Sequence, residues 1–167
     1  MWKTFTLKKG NHFSGFRISP FLRMGKMKNS VVFDRGCAYD LKNAEQQEST
    51  NKLFGFSFGF HKKNSVRFGW RYDVEKKKIL ILPFIHYKWK MIIGPILFEI
   101  NVNDIIDLSI EKLNDKVVFI AEYEGIKHYF NFTVKNINCF FGYRLFPYFG
   151  GRSVAPHTMK IFLKTLK

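Results

Sequence analysis

Cysteine is scarce in this chain of 167 residues, where only Cys37 and Cys139 occur. Two thiols build no disulfide framework, and no CxxC or Cys/His spacing marks a zinc site. That composition fits a reducing compartment, so a cytoplasmic location is expected. Long apolar runs are also missing. The longest, Ile79 to Ile85 and Met91 to Phe98, fall far short of the ~20 residues a membrane-spanning helix needs. The start, MWKTFTLKKG, has no apolar stretch of the signal-peptide kind. No membrane partner is expected. Catalytic signatures are lacking too, with no GxSxG, HExxH or P-loop. The histidines at 12, 61, 86, 128 and 157 form no i,i+2 or i,i+4 pair, so no metal and no cofactor are expected. A binding protein is expected before an enzyme.

Negative charge is in short supply. There are 13 Asp plus Glu against 28 Lys plus Arg, a net charge of +15. The basic residues gather in 1–28, 61–90 and 135–167, and the acids in 91–134. Basic segments brought together in space make a face that attracts anions. The plain alternative is compositional: Lys, Phe, Ile and Asn are all abundant, as AT-rich codon usage produces.

What the chain has in plenty is aromatic residues, 18% of the total, and period-two alternation. Alternation predicts strands at Trp2–Lys8, His12–Ser19, Ser30–Phe33, Leu53–Phe60, Ser65–Tyr72 and Ile79–Trp89. Further strands are predicted at Ile96–Val102, Ile105–Ile110, Val117–Tyr123, Ile126–Val134, Cys139–Phe149 and Met159–Leu166. Asn114-Asp115 and Glu124-Gly125 read as hairpin turns. Residues 42–52, almost wholly polar, read as a loop or one exposed helical turn. About ten closely spaced strands, no repeat and no linker predict an all-β, single-domain antiparallel β-sandwich or jelly roll over residues 1–167.

Four segments hold candidate site residues. In Asn64–Arg71, alternation sets Arg67 and Arg71 on one face with Gly69 between them, and guanidinium forks suit phosphate or carboxylate. The same alternation sets Val66, Phe68 and Trp70 opposite. The next strand sets His86, Lys88 and Lys90 on one face. Whether that row shares a face with Arg67 depends on a register that sequence leaves open. His128 lies among apolar neighbours, where a satisfied core histidine is the ordinary case. In 146–157, Gly150-Gly151 allows close backbone approach and places Arg152, Ser153 and His157 at a rim beside Tyr148. Neither the 64–71 strand nor the 147–157 loop holds an acid, so the two are expected to meet around an anion.

The stretches NKLFG at 51–55, NSVRFGW at 64–70, and PYFGG at 147–151 followed by APH at 155–157 resemble a set found in uncharacterised Bacteroidetes and phage proteins. The resemblance covers under half of the chain. It implies a jelly-roll domain similar to concanavalin-type lectins. A phage origin would imply sequestration of a nucleotide signal of host immunity.

The leading expectation is a non-enzymatic protein that binds a small anionic ligand, a nucleotide or cyclic nucleotide. Arg67, Arg71, Arg152 and His157 would meet phosphate, with Tyr148 or Trp70 stacking on a base and His86 nearby. The alternatives are a glycan partner, as a carbohydrate-binding module or a lyase on an anionic polysaccharide, and nonspecific single-stranded nucleic-acid binding.

Overall fold

A computed structural model describes residues 1–15, 19–22, 25–137 and 140–167. Cys139 and the middle of the predicted 12–19 strand lie outside the described residues. The strands are β1 (Lys3–Leu7), β2 (Pro20–Leu22), β3 (Lys26–Phe33), β4 (Asn51–Ser57), β5 (Asn64–Asp73), β6 (Lys78–Tyr87) and β7 (Lys90–Ile93). They continue with β8 (Phe98–Ile100), β9 (Ile105–Leu113), β10 (Lys116–Tyr123), β11 (Ile126–Thr133), β12 (Phe141–Leu145) and β13 (Met159–Thr165). One helical turn, Ala44–Gln47, sits in the polar 42–52 segment.

The strands form two antiparallel sheets, a β-sandwich. One sheet runs β1-β13-β3-β9-β10-β11, and the other β2-β12-β4-β5-β6-β7 with β8 also beside β6. Alternation decides what lies between them. Phe56, Val66, Phe68, Trp70, Ile79, Ile81 and Ile85 of the second sheet meet Phe33, Ile106, Leu108, Ile110 and Phe119 of the first. The ring of Phe68 stands edge-on to Phe119 at 5.3 Å, and Trp70 lies 5.1 Å from Phe33. Each large side chain buried this way contributes roughly 1.5–3 kcal/mol, which explains a stable core without staples.

Differences from the sequence expectation have local causes. Between His12 and Gly15 only an isolated bridge forms, Phe13 to Tyr148, in place of a strand. Strand β7 was not expected, because its hairpin turn carries Lys88-Trp89 rather than a glycine or asparagine. Lys88 therefore sits in the turn at φ 51° and does not extend the His86 row. The turns at Asn114 and at Glu124-Gly125 close hairpins as expected, with φ values of 49°, 51° and 79°.

Candidate functional site

The outward face of the β4-β5-β6 region carries an open cleft of about 950 Å³. Register brings its parts together. Arg67 pairs with Phe84, and Ser65 with His86, so all four project from one face. Gly55 lies across from Arg67 on β4, at a register shift that follows Lys52. The 147–151 segment runs beside β4 through two backbone hydrogen bonds between Lys52 and Tyr148, of 2.8 and 2.9 Å. Asn51, 1% exposed, fixes that segment from below. Its Oδ1 accepts the Gly150 N–H at 2.5 Å, and its Nδ2 donates to the Tyr39 hydroxyl at 2.8 Å.

Arg67 is the central group. It is 7% exposed, and its Nε is buried without a hydrogen-bond partner among the described residues. The Lys52 ammonium stands 4.8 Å from the Phe84 ring centroid and the Arg67 guanidinium 5.9 Å from it. Lys52 also donates to the Gly150 carbonyl at 2.9 Å. None of the 13 acidic residues lines the cleft. The ring face and one carbonyl are thus the main compensation these buried cations receive, far less than a carboxylate supplies.

The charges shift one another accordingly. Burial, with Arg67 nearby, holds the Lys52 ammonium down at about 8. Burial lowers Arg67 to about 10, opposed by Tyr143 and Tyr148. His86 is pushed to about 4 by burial and then by Arg67, and His61 is lowered by the same two causes. At neutral pH the cleft therefore sets the buried pair Lys52 and Arg67 beside two neutral imidazoles, with the basic residues Lys62 and Arg144 also on its lining. The Tyr143 hydroxyl accepts the His61 backbone N–H at 3.1 Å and hydrogen-bonds His61 Nδ1 at 2.6 Å, with the direction set by the tautomer of the neutral ring.

The predicted site residues divide. Arg67, His86 and Tyr148 line this one cleft. Arg71 does not. It reaches the Glu48 carbonyl at 3.1 Å and borders a separate cavity of about 470 Å³ shared with Asp40, Glu48, Asp73 and Glu75. Trp70 is fully buried in the core and offers no ring to a ligand. Arg152 is exposed and pairs with Glu45 at 3.3 Å. His157 contacts the Gly36 carbonyl through Nε2 at 2.7 Å, away from the cleft. The space over Gly69 is occupied by Thr50, whose Cγ2 a Cβ at 69 would strike at 2.5 Å. His128 stacks on Phe98 at 4.4 Å and its Nδ1 meets the Leu97 carbonyl at 2.6 Å, so it is satisfied, but it is exposed rather than in the core.

The cleft adds residues that the sequence did not single out: Lys52, His61, Phe84, Trp89 and Tyr143. Lys52 lies within the NKLFG stretch itself, in β4 just before the register shift. His61 and Tyr143 had no local signal, since 82 residues separate them.

No protein-family model and no curated protein matches the chain. Among solved structures, the fold is similar to an alginate lyase from Klebsiella pneumoniae, at 9% identity and a TM-score of 0.58. That match covers 85% of this chain and 59% of the lyase, so the chain spans under two thirds of that protein. A carbohydrate-binding module, CBM2, of the evolved Dit protein of Lactobacillus casei BL23 phage J-1 aligns at 11% identity and a TM-score of 0.48 over 98% of this chain and 69% of that one. A toad ovary galectin in complex with thio-digalactose aligns at 12% and 0.43 over 98% and 95%. The likeness to the lyase is one of fold alone, the two-sheet β-sandwich.

Proposed function

We propose that this protein binds an anionic organic ligand in the Arg67 cleft, of the nucleotide or cyclic nucleotide class, and acts by holding it. One observation carries this reading: Arg67 and Lys52 are drawn out of water over Phe84 with no acid beside them. Such a cluster costs stability unless an anion completes it. The rest of the lining selects the kind of anion. Among the described residues it contains no Asp, Glu, Asn or Gln, the side chains that accept from or bridge sugar hydroxyls. It is rich instead in rings and apolar groups, among them Phe13, Trp89, Phe146 and Tyr148. A phosphate with a flat organic body suits donors plus rings. The volume, about 950 Å³, is ample for one or two nucleotides.

Calorimetry with mono-, di- and cyclic nucleotides tests the proposal. Nucleotide binding that falls at least tenfold in Arg67→Ala supports it. Equal binding by the variant removes Arg67 from the site.

A second reading is an acidic polysaccharide. Its specific support is the His61–Tyr143 pair beside Arg67. Arg67 would neutralise a uronate carboxylate, and Tyr143, having passed its hydroxyl proton to the neutral His61 ring, would take the proton on the adjacent carbon. Tyr143 would then return that proton to the leaving glycosidic oxygen as the C–O bond breaks, leaving a carbon–carbon double bond, and His61 would give the hydroxyl proton back. The similar fold of the alginate lyase agrees with that chemistry. Uronate oligomers that bind, or that yield an ultraviolet-absorbing unsaturated product, would favour it over the nucleotide.

A further inference from the structure

The β6–β7 hairpin turns through two residues, since Tyr87 pairs with Lys90. Both central residues have positive φ, Lys88 at 51° and Trp89 at 69°. Two-residue turns of this kind favour Asn-Gly, because a side chain in the left-handed region crowds its own backbone. The β10–β11 hairpin of the same protein keeps that rule, with Gly125 in the second position at φ 79°. The β6–β7 turn puts a tryptophan in the corresponding place.

Stability does not explain that choice. The Trp89 side chain is 63% exposed, and its one described ring neighbour, Phe60 at 5.7 Å, is itself 53% exposed. The turn is nevertheless tied down. The Trp89 N–H donates to the Lys63 carbonyl at 3.1 Å, and the Lys88 N–H donates to Asn64 Oδ1 at 3.0 Å. The backbone that carries the indole is therefore held in a fixed place, and the ring, wet on much of its surface, stands on the wall of the cleft that contains Arg67. Of the other two tryptophans, Trp70 is in the core, and Trp2 does not line the cleft.

We propose that Trp89, backed by Phe60, is the stacking platform for the planar part of the ligand, so that the cleft has an anion end at Arg67 and Lys52 and a ring end at Trp89. This rests on the anionic-ligand reading and assigns a specificity residue to the same site. Strained non-glycine positions persist where they place a side chain for use. An exposed indole offers a face to any base, and a nucleobase presents the flat surface that it needs. The ligand class that satisfies both ends is a base joined to a phosphate.

The test compares wild type, Trp89→Ala, Trp89→Phe and Arg67→Ala against AMP, a cyclic dinucleotide, inorganic pyrophosphate and a uronate trisaccharide. Calorimetry and tryptophan fluorescence are both read, and thermal melting verifies folding. Trp89→Ala is expected to weaken nucleotide binding at least tenfold while leaving pyrophosphate binding within twofold. Trp89→Phe should restore most of the loss, and nucleotide should quench wild-type emission. Arg67→Ala should weaken nucleotide and pyrophosphate alike. Equal nucleotide affinity in Trp89→Ala overturns the platform and leaves the Arg67 site standing. Binding of uronate alone, lost in Arg67→Ala, overturns the base assignment while keeping the anion end. Silence of the wild type toward every probe overturns both proposals.

Discussion

Lys52 and Arg67 share one aromatic ring, with their charged groups 4.8 and 5.9 Å from the centroid of Phe84. Two like charges converge where water is partly excluded, and neither has an acid. The Arg67 guanidinium is the more buried, with Nε unpartnered. Removal of that charge in favour of an apolar chain of similar length should therefore stabilise the fold. Arg67→Met is expected to raise unfolding free energy by about 1 kcal/mol or more. It should also weaken anion binding at least tenfold, about 1.4 kcal/mol. Denaturant melts and calorimetry on the same variant measure the two effects. A loss of stability would mean that Arg67 serves the fold rather than a ligand.

The same cluster writes itself into the pH dependence of stability. Lys52 is held at about 8 against an unfolded value of 10.5. Between these values the unfolded chain binds the extra proton, so stability rises with pH across roughly 8 to 10.5. His86, at about 4 against 6.5, acts in a lower window. There the unfolded state again binds more protons, so stability falls as pH drops from about 6.5 toward 4. Lys52→Met should flatten the upper slope and His86→Gln the lower one. Urea melts at one-unit pH steps measure both, and unchanged slopes would contradict the assignments.

Ligand binding should reverse these shifts. An anion near Lys52 favours its charged form and lifts its pKa from about 8 back toward 10.5. Complex formation between these pH values must then take up protons. Titrations at about pH 8.5 in buffers of different ionisation enthalpy should show net uptake, and Lys52→Met should abolish it. Net release, or no proton exchange, would place the bound anion away from Lys52.

How far the sequence displayed this site depends on which residues one asks about. The alternation of Ser65–Tyr72 is strict, so Arg67 was readable as facing away from Val66, Phe68 and Trp70. The same alternation already opposed Trp70 to Arg67, and the structure puts Trp70 wholly inside. A stacking role for Trp70 conflicted with that pattern. Arg71 shares the Arg67 face, but four residues along a strand carry it to another cavity. His86 could not be joined to Arg67 until the Ser65–His86 pairing fixed the register. Lys88-Trp89 concealed a hairpin because neither residue is a turn former, and β7 was lost with it. Arg152 and His157 looked apt by type, yet an exposed acid and a backbone carbonyl already occupy them. Chemical type was visible along the chain. The choice among groups of the same type was made by pairing across sheets and loops.

Gly55 supplies a test of the cleft floor itself. It stands opposite Arg67, next to the register shift in β4. A Cβ built there would lie 2.6 Å from the Arg67 Cα and closer still to the Val66 carbonyl oxygen. Both are backbone atoms of β5, so no side-chain rotation relieves the clash. The strands would have to part where Arg67 is seated. Gly55→Ala is expected to destabilise the fold by about 2 kcal/mol or more, within the range of overpacked cores. Gly125→Ala provides the comparison. That glycine has a positive φ of 79° and open space around its Cβ position, so its cost is the left-handed backbone alone, about 1–2 kcal/mol. Thermal melts rank the two, and ligand titration separates them further. Gly125→Ala should bind as wild type, whereas Gly55→Ala, even where folded, should bind more weakly because Arg67 has been displaced. Equal affinity in the two variants would show that the anion does not depend on the β4–β5 contact.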